Sequence, residues 1–198
     1  FDIKDINGQL LHPISVVCGS NFTLYIVSPA ESSNETLLAY SYSGIKTASP
    51  LFLNIGHSKP VSIFGGFNTA AAIDEEGCVI FVPKFESSFA YSPLMLLEKN
   101  FLPDSEESVI CIACCIDFIF ALSSNGSVFE ASIPRRGSRL SFRPVESLKK
   151  EKIVEVNGTY RHCFAVTEDG RVFGRGENFG GQLGLGEERL EVNLFVEI

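Results

Sequence analysis

Three segments of the chain repeat one pattern, and this repeat limits the possible folds more than any other feature of the sequence. Each segment has an apolar run, three polar residues, a glycine and a second apolar run. The glycines, Gly77, Gly126 and Gly170, are 49 and 44 residues apart, and residues 14–27 form a looser earlier copy whose turn is replaced by a longer loop. The three segments are TAAAIDEEGCVIF at 69–81, FIFALSSNGSVFE at 118–130 and HCFAVTEDGRVFG at 162–174. Such a period predicts a repeat architecture with several strands in each unit.

The apolar runs are short and rich in Val, Ile, Phe and Ala, which is typical of β-strands. A glycine at the end of each polar corner can adopt the positive φ of a tight hairpin. Because one small sheet cannot bury both of its faces alone, we predict an all-β chain of about four β-propeller blades. Only residues 91–101, YSPLMLLEKNF, are predicted to form a short helix. We treat residues 1–198 as a single propeller region with approximate repeats at 14–59, 60–108, 109–152 and 153–198.

Composition places the chain among globular proteins. Hydrophobic residues make up 45% of the 198 residues and charged residues 20%, so a packed core is expected and disorder is not. No apolar run approaches the roughly 20 residues of a membrane-spanning helix. The sequence therefore predicts no contact with a membrane.

Residues 168–187 hold seven glycines. These glycines could form a phosphate-binding loop, or they could have a structural role. A phosphate-binding loop of the Walker type needs Gly-Lys-Ser/Thr, which is absent from the sequence. The dinucleotide pattern G-x-G-x-x-G has one residue fewer than GRGENFG at 174–180. We therefore expect a structural role for these glycines, no bound nucleotide and no other cofactor.

The last repeat resembles the repeat of the regulator of chromosome condensation (RCC1) family. That repeat combines a His-containing turn, a Thr-Glu-Asp-Gly hairpin and a tail of the form Gly-x-Asn-x-x-Gly-Gln-Leu-Gly-x-Gly. The positions that match it are His162, Glu168, Asp169, Gly170, Gly176, Asn178, Gly181, Gln182, Leu183, Gly184 and Gly186. Arg175 stands where the family usually has Trp, and Cys115 and Thr159 stand where it has a turn glycine. The resemblance implies RCC1-like propeller blades, with these residues in structural roles.

The family's propeller normally has seven blades, whereas this chain provides about four. We therefore expect the propeller region to be incomplete, its remaining blades coming from a longer chain or from another copy. The final residues, RLEVNLFVEI at 189–198, are predicted to be the opening strand of a further blade. An open half-ring would expose strand edges and an apolar face, so it should associate.

The six cysteines lie mostly within apolar runs, as expected for buried, reduced thiols of a cytoplasmic or nuclear protein. Cys111 and Cys114 have the C-x-x-C spacing, but a closed zinc site also needs a second pair of ligands. Asp74, Glu75 and Glu76 form an acidic hairpin tip, which is usually just solvated. We predict no metal site.

The net charge of −8 argues against general binding to nucleic acid, yet the charge is unevenly distributed. Residues 135–152 contain seven of the 16 Lys and Arg residues and two of the 24 Asp and Glu residues. This segment is either a solvated loop or a contact surface for an acidic partner. The possible partner-binding residues are Arg135, Arg136, Arg139 and Arg143.

None of the three histidines, His12, His57 and His162, forms a recognisable catalytic arrangement, so no enzyme activity is predicted. The first hypothesis is a non-catalytic module that binds a protein partner through loops on a propeller face. The second follows from the resemblance and is guanine-nucleotide exchange on a small, Ran-type GTPase, the activity of the family's founding member. The third is binding to chromatin through the basic segment.

Overall fold

The computed structural model describes most of the chain, and within that part the regular secondary structure is almost entirely β-strand. The described residues are 3–4, 8–29, 35–42, 51–82, 99–103, 107–134, 139–186 and 189–198. They form four antiparallel sheets that follow one another along the sequence. One short 3₁₀ turn, Glu146–Leu148, precedes the last sheet.

The first two sheets occupy the first half of the chain. Sheet 1 has five strands: β1 (Ile3–Lys4), β2 (Leu10–Cys18), β3 (Phe22–Ser28), β4 (Leu37–Tyr42) and β5 (Leu51–Phe52). Sheet 2 has four strands: β6 (Pro60–Gly65), β7 (Ala70–Asp74), β8 (Val79–Val82) and β9 (Lys99–Asn100).

The last two sheets have the same four-stranded order as sheet 2. Sheet 3 comprises β10 (Val109–Cys114), β11 (Phe118–Ser123), β12 (Val128–Ser132) and β13 (Arg143–Pro144). Sheet 4 comprises β14 (Ile153–Gly158), β15 (His162–Thr167), β16 (Val172–Glu177) and β17 (Glu191–Glu197). The predicted all-β architecture of repeated small sheets is confirmed.

The sheets are arranged side by side around a common axis. Strand β6 contacts both β2 and β10, and β10 also contacts β14, so the first strands of neighbouring sheets touch one another. The first strands therefore lie nearest to the axis. Each of them also has an irregularity in its ladder at the same repeat position, at Ile14, Val61, Ile110 and Val154.

The hydrophobic core lies between the sheets because successive residues of a strand point to opposite faces. In β7, Ala70 and Ala72 pack in the core shared with sheet 1, whereas Ala71 and Ile73 pack in the core shared with sheet 3. In β11, the same alternation divides Ile119 from Phe120. The middle sheets are therefore buried on both faces, which explains their continuous apolar runs.

The glycine-capped corners are tight turns that also connect neighbouring sheets. Gly77 and Gly126 have φ of 75° and 91°, a conformation that L residues rarely adopt. The carbonyl of Gly77 accepts a hydrogen bond from Val109 N (2.9 Å), and that of Gly126 accepts one from Ile153 N (3.0 Å). Each corner of sheets 2 and 3 is thus tied to the first strand of the following sheet.

Two local predictions are corrected by the structure. Residues Glu191–Glu197 are the fourth strand of sheet 4, pairing with β16, and do not open a further blade. Part of the predicted 91–101 helix, Lys99–Asn100, is a strand that pairs with β8, and residues 91–98 lie outside the described part of the chain. Across the described residues, no helix has the length and apolar character needed to span a membrane.

Candidate protein-binding face

One end of the sheets, here called the turn face, is formed by the connections from each first strand to its second strand. These turns occupy equivalent positions in the repeat and are closed by equivalent main-chain hydrogen bonds. The bonds run from Gly19 N to Phe22 O, from Gly66 N to Thr69 O, from Cys115 N to Phe118 O and from Thr159 N to His162 O. The loop between β16 and β17 lies at this same end because the strands are antiparallel.

Neighbouring turns are held together across the sheet boundaries. Ser20 N donates to Phe67 O (2.8 Å), and Ile116 N donates to Tyr160 O (2.7 Å). Between sheets 2 and 3, the Thr69 hydroxyl donates to Cys115 O (3.0 Å). Four turns from four sheets thereby form one continuous, hydrogen-bonded surface around the axis.

An exposed aromatic group lies on this surface and is here called the axial patch, comprising Phe67, Tyr160 and Arg161. The two rings meet edge to face with centroids 4.8 Å apart, although Phe67 belongs to sheet 2 and Tyr160 to sheet 4. Both are well exposed, Phe67 at 46% and Tyr160 at 39%. The Arg161 guanidinium lies 5.1 Å from the centre of the Tyr160 ring, and its Nη1 is 2.8 Å from Glu177 Oε1. The patch is thus a fixed arrangement of aromatic and cationic side chains.

A cleft of about 120 Å³ adjoins the axial patch between sheets 3 and 4. Its lining includes Asp117, Tyr160, Arg161, His162, Arg175 and Glu191. Asp117, which the sequence places between apolar residues, is exposed here at the turn. The cleft combines both signs of charge with aromatic walls, so it could accept a polar side chain of a bound protein.

Arg175, which stands where the RCC1 repeat has Trp, fills an aromatic site between sheets 3 and 4. Its guanidinium lies 5.2 Å from the ring centres of both Phe118 and Phe120 and 5.9 Å from that of Phe195. Its charge is offset by Glu130, which is buried and also pairs with Arg143 at 2.8 Å. Cation–π contacts and an ion pair therefore occupy the site of a large aromatic side chain.

The glycine-rich tail is organised by the buried side chain of Asn178. Its Oδ1 accepts a hydrogen bond from Leu183 N (2.8 Å), and its Nδ2 donates to Gly186 O (3.0 Å) and Arg189 O (2.7 Å). Gln182 Oε1 accepts from Gly180 N (2.8 Å), while Leu183 is buried. Among the motif glycines, Gly176 has φ of 113°, and a Cβ there would lie 2.0 Å from Arg161 O. Gly181, Gly184 and Gly186 also have positive φ.

The other motif residues are divided between the two ends of sheet 4. His162 lies at the turn face, where its carbonyl closes the turn and its ring packs edge-on to Phe164. Glu168, Asp169 and Gly170 form the hairpin at the opposite end. Lys152 pairs with Glu168 at 2.9 Å, and the Thr167 hydroxyl and then Arg171 hold the pKa of Asp169 below its usual value. The structure therefore does not bring the motif residues together into one site.

The candidate partner-binding arginines are only partly described. Arg135 and Arg136 lie outside the described residues. Arg139 is exposed, whereas the charge of Arg143 is offset by its ion pair with Glu130. The side chain of Arg143 nevertheless remains 71% exposed, so its role in partner binding stays a prediction.

The acidic hairpin tip brings together groups that could in principle hold a cation. Asp74, Glu76 and Cys78 place one ligand atom each within 4.8 Å of one another. Lys99 Nζ lies 2.9 Å from both Asp74 Oδ2 and Glu76 Oε2, so an ammonium group already offsets part of the negative charge of the two carboxylates. Burial also raises the pKa of the Cys78 thiol to about 11, which disfavours the thiolate that metals bind.

All six cysteines are described and are free thiols, of which Cys18 is exposed and Cys111 is half-buried. Cys111 and Cys114, three residues apart on β10, pack on opposite faces of sheet 3. They cannot converge on one ion despite the C-x-x-C spacing. Cys115 and Cys163 meet in the core between sheets 3 and 4, and their mutual contact together with burial raises the pKa of Cys163.

The four sheets, their shared axis and their glycine-capped corners define RCC1-like β-propeller blades. Similar solved structures support this fold. Human WBSCR16 has a TM-score of 0.67 and 17% identity, and the match covers 94% of this chain and 52% of that one. Yeast RCC1 (Prp20), in a crystal structure with Kap60, has a TM-score of 0.69 and 14% identity, covering 100% of this chain and 50% of that one.

A third structure, Prp20p from Saccharomyces cerevisiae, is described together with its binding to Gsp1p and histones. It has a TM-score of 0.69 and 14% identity, with 100% of this chain and 52% of that one covered. The chain thus spans about half the length of the solved structures that it matches. No protein-family model matches this sequence, and no curated protein matches it.

Phe67, Tyr160 and Arg161 are not among the site residues predicted from the sequence. Their signal was present in the repeat, because Ser20, Phe67, Ile116 and Tyr160 occupy one equivalent turn position. Two aromatic residues at a turn position are unusual, and they would have indicated an exposed surface. That the two rings meet across the turn of sheet 3 depends on the arrangement of the sheets.

Proposed function

We propose that the chain is a divergent RCC1-type repeat region that binds a protein partner through its turn face and performs no covalent chemistry. The observation that carries this proposal is the axial patch. Aromatic residues and arginine are the side chains most often responsible for binding energy in protein interfaces. Here they are exposed on turns that hydrogen bonds hold in place, so little conformational entropy would be lost on binding.

A crosslinking experiment tests this proposal. A photoreactive phenylalanine analogue would replace Tyr160 in one protein and, as a control, Phe101, which is 60% exposed outside the axial patch, in another. A protein crosslinked only from position 160 would be purified, and its affinity for the wild-type chain would be measured. We expect Phe67→Ala to weaken that affinity about tenfold, as for an interface hot spot, and Phe101→Ala to leave it unchanged. The same products at both positions, or no loss of affinity with Phe67→Ala, would exclude the axial patch as the binding site.

Guanine-nucleotide exchange is the alternative function, supported by the resemblance to the RCC1 family and by the fold shared with a yeast protein that binds Gsp1p. Such an activity would require the chain, or the longer protein that contains it, to loosen the nucleotide of a small GTPase. Release of labelled GDP from a Ran-type GTPase would be measured with and without the protein. Acceleration would assign exchange activity, and unchanged release with retained binding would assign a binding module.

Chromatin binding has less support from the described residues. The ion pair between Arg143 and Glu130 offsets one of the four candidate charges. If the basic segment did bind phosphate, affinity for DNA would fall steeply with salt, and alanine at the candidate arginines would flatten this dependence.

A further inference from the structure

The cleft beside the axial patch lies between two sheets that both belong to the described chain, so its lining does not depend on a further sheet. Sheet 3 contributes Asp117 to this lining, and sheet 4 contributes Tyr160 and Glu191. The volume of about 120 Å³ is well below the roughly 300 Å³ at which small-molecule sites begin. The cleft therefore suits a single side chain of a bound protein better than a free ligand.

Both arginines of the cleft already have carboxylate partners. Arg161 Nη1 lies 2.8 Å from Glu177 Oε1, and the main chain joins the same two residues because Glu177 N donates to Arg161 O (2.9 Å). Arg175 pairs with Glu130, whose side chain is only 10% exposed, and three aromatic rings surround the Arg175 guanidinium. An anion could bind either arginine only by competing with an existing ion pair.

The carboxylates of Asp117 and Glu191, in contrast, have no such partner. Both residues are exposed, and neither forms an ion pair within the part of the chain that the structure describes. Asp117 and Arg161 occupy the same repeat position on neighbouring turns, 44 residues apart, yet Arg161 pairs within its own sheet. The cleft thus holds two carboxylates whose charge no described side chain offsets.

We propose that this cleft receives the side chain of an arginine or lysine of the bound protein, an inference that rests on the proposed function of the turn face. The cationic group would lie between Asp117 and Glu191. Its apolar stem would contact the ring of Tyr160, because long basic side chains bury their stems while the charged end stays among polar groups. The bound protein would therefore present a basic residue next to the apolar residues that cover Phe67.

The charge of the whole chain favours the same class of partner. The chain has a net charge of −8, and a protein of one sign attracts a partner of the opposite sign over long distances. An acidic partner segment would be repelled by this charge, and it would also compete with Glu177 and Glu130 for the two arginines. A basic side chain meets neither obstacle.

Three short peptides test the proposal. Each is an acetylated and amidated tripeptide with Phe at both ends, and its central residue is arginine, norleucine or glutamate. Binding to the isotope-labelled chain would be measured by NMR titration of the amides of Asp117, Tyr160 and Glu191. We expect the arginine peptide to bind about tenfold more tightly than the norleucine peptide, and the glutamate peptide to bind more weakly than either. Added salt should reduce the preference for arginine.

Matched variants assign this preference to the two carboxylates. Asp117→Asn and Glu191→Gln keep the shape of each side chain and remove its charge, and both sites are exposed, so both variants should fold. Each should weaken binding of the arginine peptide about threefold, and the double variant should bind the arginine and norleucine peptides equally. Glu75→Gln removes the same charge from the hairpin tip at the opposite end of sheet 2, and it should leave the preference unchanged.

The proposal is overturned if the arginine peptide does not bind, if it binds no more tightly than the norleucine peptide, or if the glutamate peptide binds more tightly than both. An unchanged preference for arginine in the double variant would overturn it as well. The proposed function is judged separately. A norleucine peptide that shifts the Tyr160 amide, or a protein crosslinked only through position 160, would retain the axial patch as a binding site even where the preference for arginine is absent.

Discussion

Asn178 illustrates how one buried polar side chain can organise a whole segment of this protein. Its amide forms three hydrogen bonds to main-chain groups of residues 183, 186 and 189. These bonds close the glycine-rich loop over sheet 4 and hold Leu183 in its buried position. Arg175 has a comparable local role, because it combines aromatic contacts with the buried carboxylate of Glu130.

Replacing Asn178 by alanine should therefore destabilise the protein. The change leaves main-chain groups of the loop without partners, and each unsatisfied buried group costs about 1–3 kcal/mol. We expect the free energy of unfolding, measured by urea denaturation, to fall by about 3 kcal/mol. Gln182→Ala, which removes one bond of an exposed side chain, should cost less than about 0.5 kcal/mol. Equal losses in the two variants would contradict this role for Asn178.

At the scale of the element, the hairpin between the second and third strands has two functions. It reverses the chain within a sheet, and in sheets 2 and 3 its glycine carbonyl also binds the first strand of the next sheet. The hairpin of sheet 4 has the same backbone conformation without that neighbour among the described residues. The repeated sequence pattern thus encodes the turn, while the contact depends on the following sheet.

Alanine substitutions at two hairpin glycines separate these functions. Gly126→Ala and Gly170→Ala both force a side chain into positive φ, at a cost of about 1–2 kcal/mol. Gly126→Ala also pushes a Cβ against Lys152 and Ile153, and such overpacking typically costs about 1–3 kcal/mol more. Chemical denaturation should therefore show a larger loss for Gly126→Ala. The prediction is wrong if the two variants are equally stable.

At the scale of the whole molecule, stability depends on contacts between neighbouring sheets, as in other repeat proteins. Sheets 2 and 3 bury apolar residues on both faces. Sheet 4 buries one face fully, whereas Phe164 and Val166 on its other face are half-buried. Backbone amides of the same residue type at the same repeat position should therefore be protected from hydrogen exchange to different degrees in different sheets. Ala72, Ala121 and Ala165 provide this comparison, since all three side chains are fully buried.

Hydrogen exchange of these three amides measures the difference. At a concentration low enough to keep chains apart, we expect the Ala165 amide to exchange at least about tenfold faster than those of Ala72 and Ala121, because sheet 4 can open without disrupting a second core. Uniform exchange at low concentration would instead indicate that the four sheets open as one unit.

Much of the fold could be predicted from local patterns. The glycine-capped corners and their regular spacing indicated strands, hairpins and repeated sheets, because turn chemistry and strand propensity act over a few residues. The ends of elements were harder to predict. RLEVNLFVEI has the composition of any strand, and only its pairing with β16 shows that it completes sheet 4.

Less of the candidate site than of the fold could be predicted from the sequence. The motif residues of the last repeat stand out in the sequence, but their contacts serve the loop and the hairpin. Phe67 and Tyr160 lie 93 residues apart and belong to different sheets, so their contact has no local signal. It exists because the turns of three consecutive sheets converge near one axis.

The sequence by itself determined the units of this protein, since positive-φ glycines and alternating apolar residues specify hairpins wherever they occur. Only the tertiary structure decided which faces of those units are covered, which turns meet at the axis and which apolar residues remain exposed. These properties depend on the neighbours that each sheet acquires. Phe120 and Phe164 have equivalent positions and the same side chain, yet Phe120 is buried between two sheets and Phe164 is half-buried.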